Sequence, residues 1–117
     1  MARNPGTLMG YERKAQRFDV QFGSTFAGDH LAGQGTITNL SSGGCSIESA
    51  ITLPVDSVIG LNMAVPNGGG RIHIERAVVR WTRGTTFGLE FTDVPARDRD
   101  QLHQLLLSLA RESEATS

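Results

Sequence analysis

The sequence predicts an all-β domain that ends in one helix, and three observations indicate this fold class. Hydrophobic residues alternate with polar ones along several short segments, which is the period of a strand with one buried face. The 14 glycines mark many turns between these segments. Near the C-terminus the hydrophobic period changes to that of an amphipathic helix. About six strands at such short spacing favour a small antiparallel barrel, because closure removes sheet edges that promote aggregation.

The N-terminal half predicts three strands. The first begins at Phe18, where aromatic residues alternate with polar ones. The second covers 35–40 and is rich in β-branched residues, and the third covers 45–49. Between the last two, the run Ser41-Ser42-Gly43-Gly44 has the composition of a sharp turn, so we expect a hairpin here.

The C-terminal half predicts the rest of the sheet and the helix. A fourth strand covers 58–65, the segment 71–83 forms one bent strand or two, and a last strand covers 86–91. After Pro95, which suits the start of a helix, leucines recur at helical spacing: Leu102, Leu105, Leu106 and Leu109. We expect the helix to cover one end of the sheet.

The chain divides into three parts. Residues 1–12 lack hydrophobic periodicity and predict a flexible N-terminal arm. Residues 13–111 form the barrel domain with its C-terminal helix, and 112–117 form a polar tail. The total of 117 residues suffices for one domain with a core of its own.

Charge limits the classes of function. Eleven basic and twelve acidic residues give a net charge of -1, which argues against nucleic-acid binding through general attraction to phosphates. The N-terminal segment is nevertheless basic, because Arg3, Arg13, Lys14 and Arg17 stand there with only Glu12 of opposite sign. Any anion site would therefore be local.

Other residue patterns argue against a membrane segment, a disulfide, a metal site and a catalytic site. No run is apolar enough for a signal peptide or a membrane span, and the lone Cys45 cannot form an internal disulfide. We expect a cytoplasmic protein without membrane insertion. The chain has three histidines, His30, His73 and His103. They have no partners at metal-ligand spacing, so we expect no metal site. No constellation with catalytic logic is present, so we do not expect an enzyme.

Arg13 and Arg17 lie four residues apart, just before the first strand. Each guanidinium offers a rigid fork of donors for a phosphate or a guanine edge, and its flat face stacks on a base. By itself the pair also fits an ordinary solvated basic turn.

Two motifs together resemble the PilZ domain family. The run Arg13-Lys14-Ala15-Gln16-Arg17 matches RxxxR, and Asn39-Leu40-Ser41-Ser42-Gly43-Gly44 matches [DN]xSxxG, in the order and β context of that family. The segments 77–81 and 87–91, followed by the leucine-rich helix, resemble the strand pair and helix of the same family. The resemblance covers nearly the whole chain.

The resemblance implies a six-stranded PilZ-like barrel that binds the bacterial second messenger cyclic di-GMP. The ligand would order the N-terminal arginine arm over the barrel and alter a surface that binds an unidentified protein effector. The alternative is a PilZ-fold protein interaction module that binds cyclic di-GMP weakly or not at all. Neither the receptor nor the interaction module requires a cofactor.

The resemblance also implies roles for individual residues. Arg13 and Arg17 would hold phosphates and contact guanine, while Asn39, Ser41 and Gly44 would line the barrel surface where a guanine edge rests. Three further residues are possible accessory contacts: Lys14, Gly43 and Trp81.

Three neighbouring features refine this picture. Trp81 also fits packing in the core or at the rim of the barrel, and strand alternation predicts that Arg80 faces the opposite way, toward solvent. Some family members carry an arginine at the position of Glu12, where it accompanies a stacked ligand dimer. Glu12 therefore favours a single bound ligand.

Overall fold

A computed structural model describes residues 16–116. The predicted arm over 1–12 lies outside the described residues, and so do Glu12, Arg13 and Lys14. The described chain forms six strands and one helix, in this order: β1 Phe18–Ala27, β2 Ala32–Leu40, β3 Gly44–Glu48, β4 Val58–Val65, β5 Gly70–Arg83, β6 Thr86–Asp93 and α1 Ala96–Thr116.

The strands close into one antiparallel barrel with the order β1-β2-β3-β6-β5-β4. Sequential hairpins account for most of the pairs, β3 pairs with β6, and β1 pairs with β4 to close the ring. The predicted fold class, a six-stranded antiparallel barrel with a C-terminal helix, is confirmed. The segment over 71–83 belongs to one strand.

The core occupies the barrel interior, where alternate residues of each strand point inward. The rings of Phe26 and Phe87 meet edge to face, with centroids 5.6 Å apart and planes at 88°. Such a pair contributes roughly 0.5–1.5 kcal/mol beyond the burial of its surface. Aliphatic side chains surround it and are fully buried: Ile37, Leu40, Ile47, Ile59, Leu61, Met63, Ile72, Ile74 and Val79.

Helix α1 covers one mouth of the barrel. The pairing of β5 with β6 begins at Arg76, so in the described chain the first residues of β5 have β4 as their only strand neighbour. Asp98, in the first turn of α1, accepts a hydrogen bond from the backbone N–H of His73 at 2.8 Å. Leu102 is 2% exposed and joins the core. The helix thus covers the place where the strand ladder is incomplete.

The helix continues to Thr116, so the predicted boundary between domain and tail, at 111 and 112, falls inside it. The apolar stripe ends at Leu109, which is why the sequence pattern gave no signal beyond that point. Good helix formers such as Arg111 and Glu112 extend a helix that is already nucleated.

A β-bulge in β5 places Trp81 on the same face as Arg80, whose predicted exposure to solvent is confirmed. The pairing with β6 shifts register between Val79 and Trp81, so β5 contains one extra residue here. Both side chains consequently lie on the barrel exterior: Trp81 is 42% exposed, and Arg80 donates from Nε to Glu90 Oε1 at 2.6 Å. The expectation that they face opposite ways is wrong, because simple alternation does not anticipate an inserted residue.

Cys45 of β3 points into the barrel and is 1% exposed. Burial raises the pKa of its thiol from 9.0 to about 12, and the nearby positive charge of Arg17 opposes this shift only in part. The side chain therefore acts as a small neutral core residue.

Replacing Gly44 by Ala should destabilise the barrel. A Cβ at this position would overlap the backbone carbonyl oxygen of Leu89, and that backbone cannot move without disturbing the β3–β6 pairing. We expect the free energy of unfolding to fall by about 2 kcal/mol or more in urea denaturation. Gly43→Ala is the matched control, because a Cβ there meets no atom within 4 Å, and should cost less than about 0.5 kcal/mol. Equal losses in the two variants would contradict this account.

The free energy of unfolding should also decrease as the pH rises from 9.0 toward about 12. In this range the unfolded chain releases the Cys45 proton while the folded chain keeps it, so the folded state loses relative stability. The slope contributed by one such proton approaches about 1.4 kcal/mol per pH unit. Cys45→Ala should remove this contribution in denaturation experiments across the alkaline range. Identical slopes for the two proteins would show that the thiol is not protected.

Candidate ligand-binding site

The candidate site lies on the outer face of the barrel, where Arg17 meets Asn39. Arg17 immediately precedes β1, and Asn39 lies next to the end of β2. The Arg17 Nη1 group donates a hydrogen bond to Asn39 Oδ1 at 2.6 Å, across 22 residues of sequence. The structure therefore brings together the last residue of the first motif and the first residue of the second.

A register shift in β2 accounts for the outward position of Asn39. The pairing of β2 with β3 shifts between Ile37 and Asn39. Ile37 is fully buried, whereas Thr38 and Asn39 are both half-buried, so two consecutive side chains reach the outer face, as occurs at a bulge. The Thr38 hydroxyl lies 3.5 Å from that of Ser46 on β3. The bulge thus gathers small polar groups beside the Arg17 contact.

Asn39 belongs to a row of residues that crosses five strands. We call it the outer row, and its members follow one another through direct strand pairs: Asp19 on β1, Asn39 on β2, Ser46 on β3, Gly88 on β6 and Trp81 on β5. Neighbouring strands lie about 4.8 Å apart, so the row extends over roughly 19 Å. A carboxylate stands at one end of the row and an indole ring at the other.

The indole ring of Trp81 lies against the backbone of Gly88. A Cβ at position 88 would overlap the indole nitrogen and its adjoining carbons, so only glycine lets the ring lie this close to β6. The guanidinium carbon of Arg83 lies 5.9 Å from the ring centroid. Trp81 therefore packs on the barrel exterior, not in the core, and its exposed surface is a platform for another flat group.

Ser41 and Gly44 lie beneath the site. Ser41 is 1% exposed; its hydroxyl accepts from the N–H of Gly43 and donates to the carbonyl of Gly44, both at 3.3 Å. The Gly43 carbonyl in turn accepts from the N–H of Phe91 at 2.8 Å. Ser41 and Gly44 do not line the exposed surface, because the turn uses the hydroxyl internally and Gly44 packs against Leu89. Their contact with a ligand stays a prediction.

The predicted site residues therefore differ in where they lie relative to the site. Arg17 and Asn39 are in contact, Gly43 is exposed at the turn, and Trp81 stands at the far end of the outer row. The other two predicted residues of the N-terminal segment, Arg13 and Lys14, lie outside the described residues.

Sequence reasoning missed three members of the outer row: Asp19, Ser46 and Gly88. Alternation places Asp19 on the polar face of β1, but the residue opposite it depends on the register of β2. That register contains shifts in the pairs of β2 with both β1 and β3. The only available signal was the alternation of polar residues.

Within 16–116, no group of three or more histidine, cysteine, aspartate or glutamate side chains is arranged to hold a metal ion. No helix in that part of the chain is long and apolar enough to cross a membrane.

Comparisons with known sequences identify one family. A profile of the PilZ domain matches residues 11–108. No curated protein sequence matches the chain significantly.

Solved structures share the fold. The inhibitor of motility MotI/DgrA of Bacillus subtilis aligns with a TM-score of 0.69 and 20% identity, over 82% of this chain and 50% of that one. YcgR of Escherichia coli, in complex with c-di-GMP, aligns with a TM-score of 0.71 and 20% identity, over 89% and 48%. The PilZ domain of CeSA from a cellulose-synthesizing bacterium aligns with a TM-score of 0.65 and 13% identity, over 82% and 99%. The chain thus spans about half the length of the first two proteins.

Proposed function

Because this chain belongs to the PilZ domain family, we propose that it is a receptor module that binds cyclic di-GMP over the outer row. The contact of Arg17 with Asn39 carries the proposal, since it joins residues of both family motifs on one exposed surface. The shared fold with YcgR, whose structure contains c-di-GMP, supports it.

Arg17 is the proposed phosphate ligand. Its guanidinium has five N–H donors, and Asn39 uses one Nη1 donor while the group remains exposed. Since this bond already restrains the side chain, less rotamer entropy is lost when a phosphate binds. Arg13 is within about 14 Å of Arg17 along an extended chain, so both can reach one dinucleotide. Lys14 adds positive charge, and the arm becomes ordered over the ligand.

Asn39 and Asp19 are the proposed contacts to a guanine edge. Guanine presents N–H donors on this edge, and the exposed carboxylate of Asp19 is an acceptor paired directly across from Asn39. Hydrogen bonds to a charged acceptor contribute about 1.5–3 kcal/mol each. Adenine has a different donor pattern on this edge, so these contacts favour guanine.

Trp81 is the proposed platform for a base at the other end of the row. Stacking of a base on an aromatic side chain contributes about 1–3 kcal/mol. The ring covers Gly88, and the small side chain of Ser46 lies between Gly88 and Asn39 along the row. Arg83, beside the ring, adds positive charge for a phosphate.

Ser41, Gly43 and Gly44 act through the shape of the turn. Ser41 and Gly44 fix the hairpin that positions Asn39, while Gly43 is exposed and leaves space for a ligand.

The second candidate is a protein interaction module of the same fold that binds the nucleotide weakly or not at all. One observation favours it: the buried hydroxyl of Ser41 and the packing of Gly44 both serve the turn itself. These two motif residues therefore do not by themselves require a ligand.

Replacing Arg17 by Ala should weaken cyclic di-GMP binding by about tenfold to a hundredfold in calorimetric titrations, because a charge-assisted hydrogen bond to phosphate is lost. Arg97→Ala is the control, since Arg97 is exposed at the start of α1 and lies off the outer row; it should bind as the wild type does. Absence of binding to the wild type at about millimolar ligand, or equal affinity of Arg17→Ala and wild type, would reject the receptor proposal in favour of the interaction module.

Cyclic di-GMP should quench the emission of Trp81, the only tryptophan of the chain, because a base stacks on its ring. Trp81→Leu should weaken binding by about fivefold to a hundredfold. Cyclic di-AMP has the same phosphate ring and should quench less at equal concentration, because its bases lack the guanine edge. Unchanged emission in a sample that binds the ligand by calorimetry would remove Trp81 from the site.

A further inference from the structure

A polar groove lies on the barrel exterior, apart from the outer row, and has a volume of about 540 Å³. We call it the lateral groove. Its floor consists of one exposed residue from each of five strands: Arg71 on β5, Ala64 on β4, Gly23 on β1, Thr36 on β2 and Glu48 on β3.

Strand pairing places these residues in one line. Arg71 pairs with Ala64, Gly23 with Thr36, and Thr36 with Glu48, while β1 and β4 pair at the neighbouring positions. Four strand intervals of about 4.8 Å separate the two charged ends by roughly 19 Å. A Cβ on Gly23 would meet no atom within 4 Å, so the centre of the line is open.

Opposite charges stand at the two ends of the groove. Glu48 and Arg71 are exposed, and within residues 16–116 neither side chain forms a hydrogen bond or an ion pair. Arg80, also on β5, differs in this respect because Glu90 neutralises it. The two ends of the groove are therefore available to a ligand that carries both signs of charge.

Amide and hydroxyl groups form one side of the groove. Asn62, Thr25 and Gln34 line it and follow one another through strand pairs of β4, β1 and β2. Asn62 Oδ1 lies 2.9 Å from His73 Nδ1, which leaves the NH2 group for another acceptor. A peptide backbone presents donors and acceptors along its whole length, and these side chains offer both in return.

We propose that the lateral groove binds an extended peptide segment of a partner protein, with a basic residue against Glu48 and an acidic residue against Arg71. An extended chain advances about 3.3 Å per residue, so the two charged residues are about six positions apart. A ligand of one charge sign would place like charges together at one end. The groove shares no residue with the outer row, so the proposal does not depend on nucleotide binding.

The test uses three capped peptides of about seven residues that differ only in their end residues: Lys and Asp, two Asp, or two Lys, with Ser, Gly and Ala between. Chemical shifts of the isotope-labelled full chain report binding. We expect saturable binding of the Lys–Asp peptide with a Kd of about 1 mM or below, and shifts at Gly23, Thr36 and Ala64. Each like-charged peptide should bind about fivefold more weakly.

Charge reversal should switch this preference. Glu48→Arg should select the two-Asp peptide, and Arg71→Glu the two-Lys peptide. Two exposed positions on α1 provide controls with the same changes of net charge, since Glu112→Arg and Arg97→Glu should both keep the wild-type preference. Gly23→Gln should abolish binding of all three peptides by filling a position where the fold leaves open space.

Two results of the peptide titrations would overturn the proposal: no saturable shifts with the Lys–Asp peptide, or a wild-type preference kept by Glu48→Arg and Arg71→Glu.

Sedimentation of the chain without peptide tests whether a second copy of the chain occupies the groove. Self-association that disappears in Glu48→Arg would assign the groove to a second copy of the chain and would also overturn the proposal, whereas a monomer supports it.

Discussion

The close approach of Gly44 to the carbonyl oxygen of Leu89 is the constraint on which both the barrel and the candidate site depend. The ring closes only if β3 lies against β6, and this approach leaves no space for a side chain at position 44. The hydroxyl of Ser41 fixes the same turn from inside. The turn holds the end of β2 in the place where Asn39 meets Arg17. One short hairpin therefore determines both the closure of the sheet and the position of its proposed binding surface.

Local patterns predicted the strands well, because inward and outward positions alternate along each strand whatever its partner. The predicted bounds of β4 agree with the structure. The same reasoning failed for Arg80 and Trp81, because the bulge beside them arises from pairing with β6. Motif spacing predicted that Arg17 and Asn39 share a site. It did not predict the burial of Ser41, which depends on hydrogen bonds that only the folded turn forms.

The outer row and the lateral groove lie side by side on β1, β2 and β3, where their residues are two to four positions apart. On β3, Ser46 of the outer row stands two residues from Glu48 of the groove, a distance of about 7 Å. Phosphates bound along the row would lie within a Debye length of that end of the groove and would strengthen its attraction for a basic side chain. Ligand binding at the row and peptide binding at the groove would therefore be coupled through this electrostatic attraction alone, with no change in the conformation of the barrel.

Gly88 faces outward and is nevertheless buried, because the indole ring of Trp81 covers it. The ring thus shields a stretch of β6 backbone from water. If a base of the ligand displaced the ring, the base itself would have to shield the Gly88 backbone from water. The rate at which the Gly88 amide exchanges its hydrogen with solvent therefore depends on the position of the ring as well as on the pairing of β6 with β3 and β5, and gives a view of the surface from the backbone beneath it.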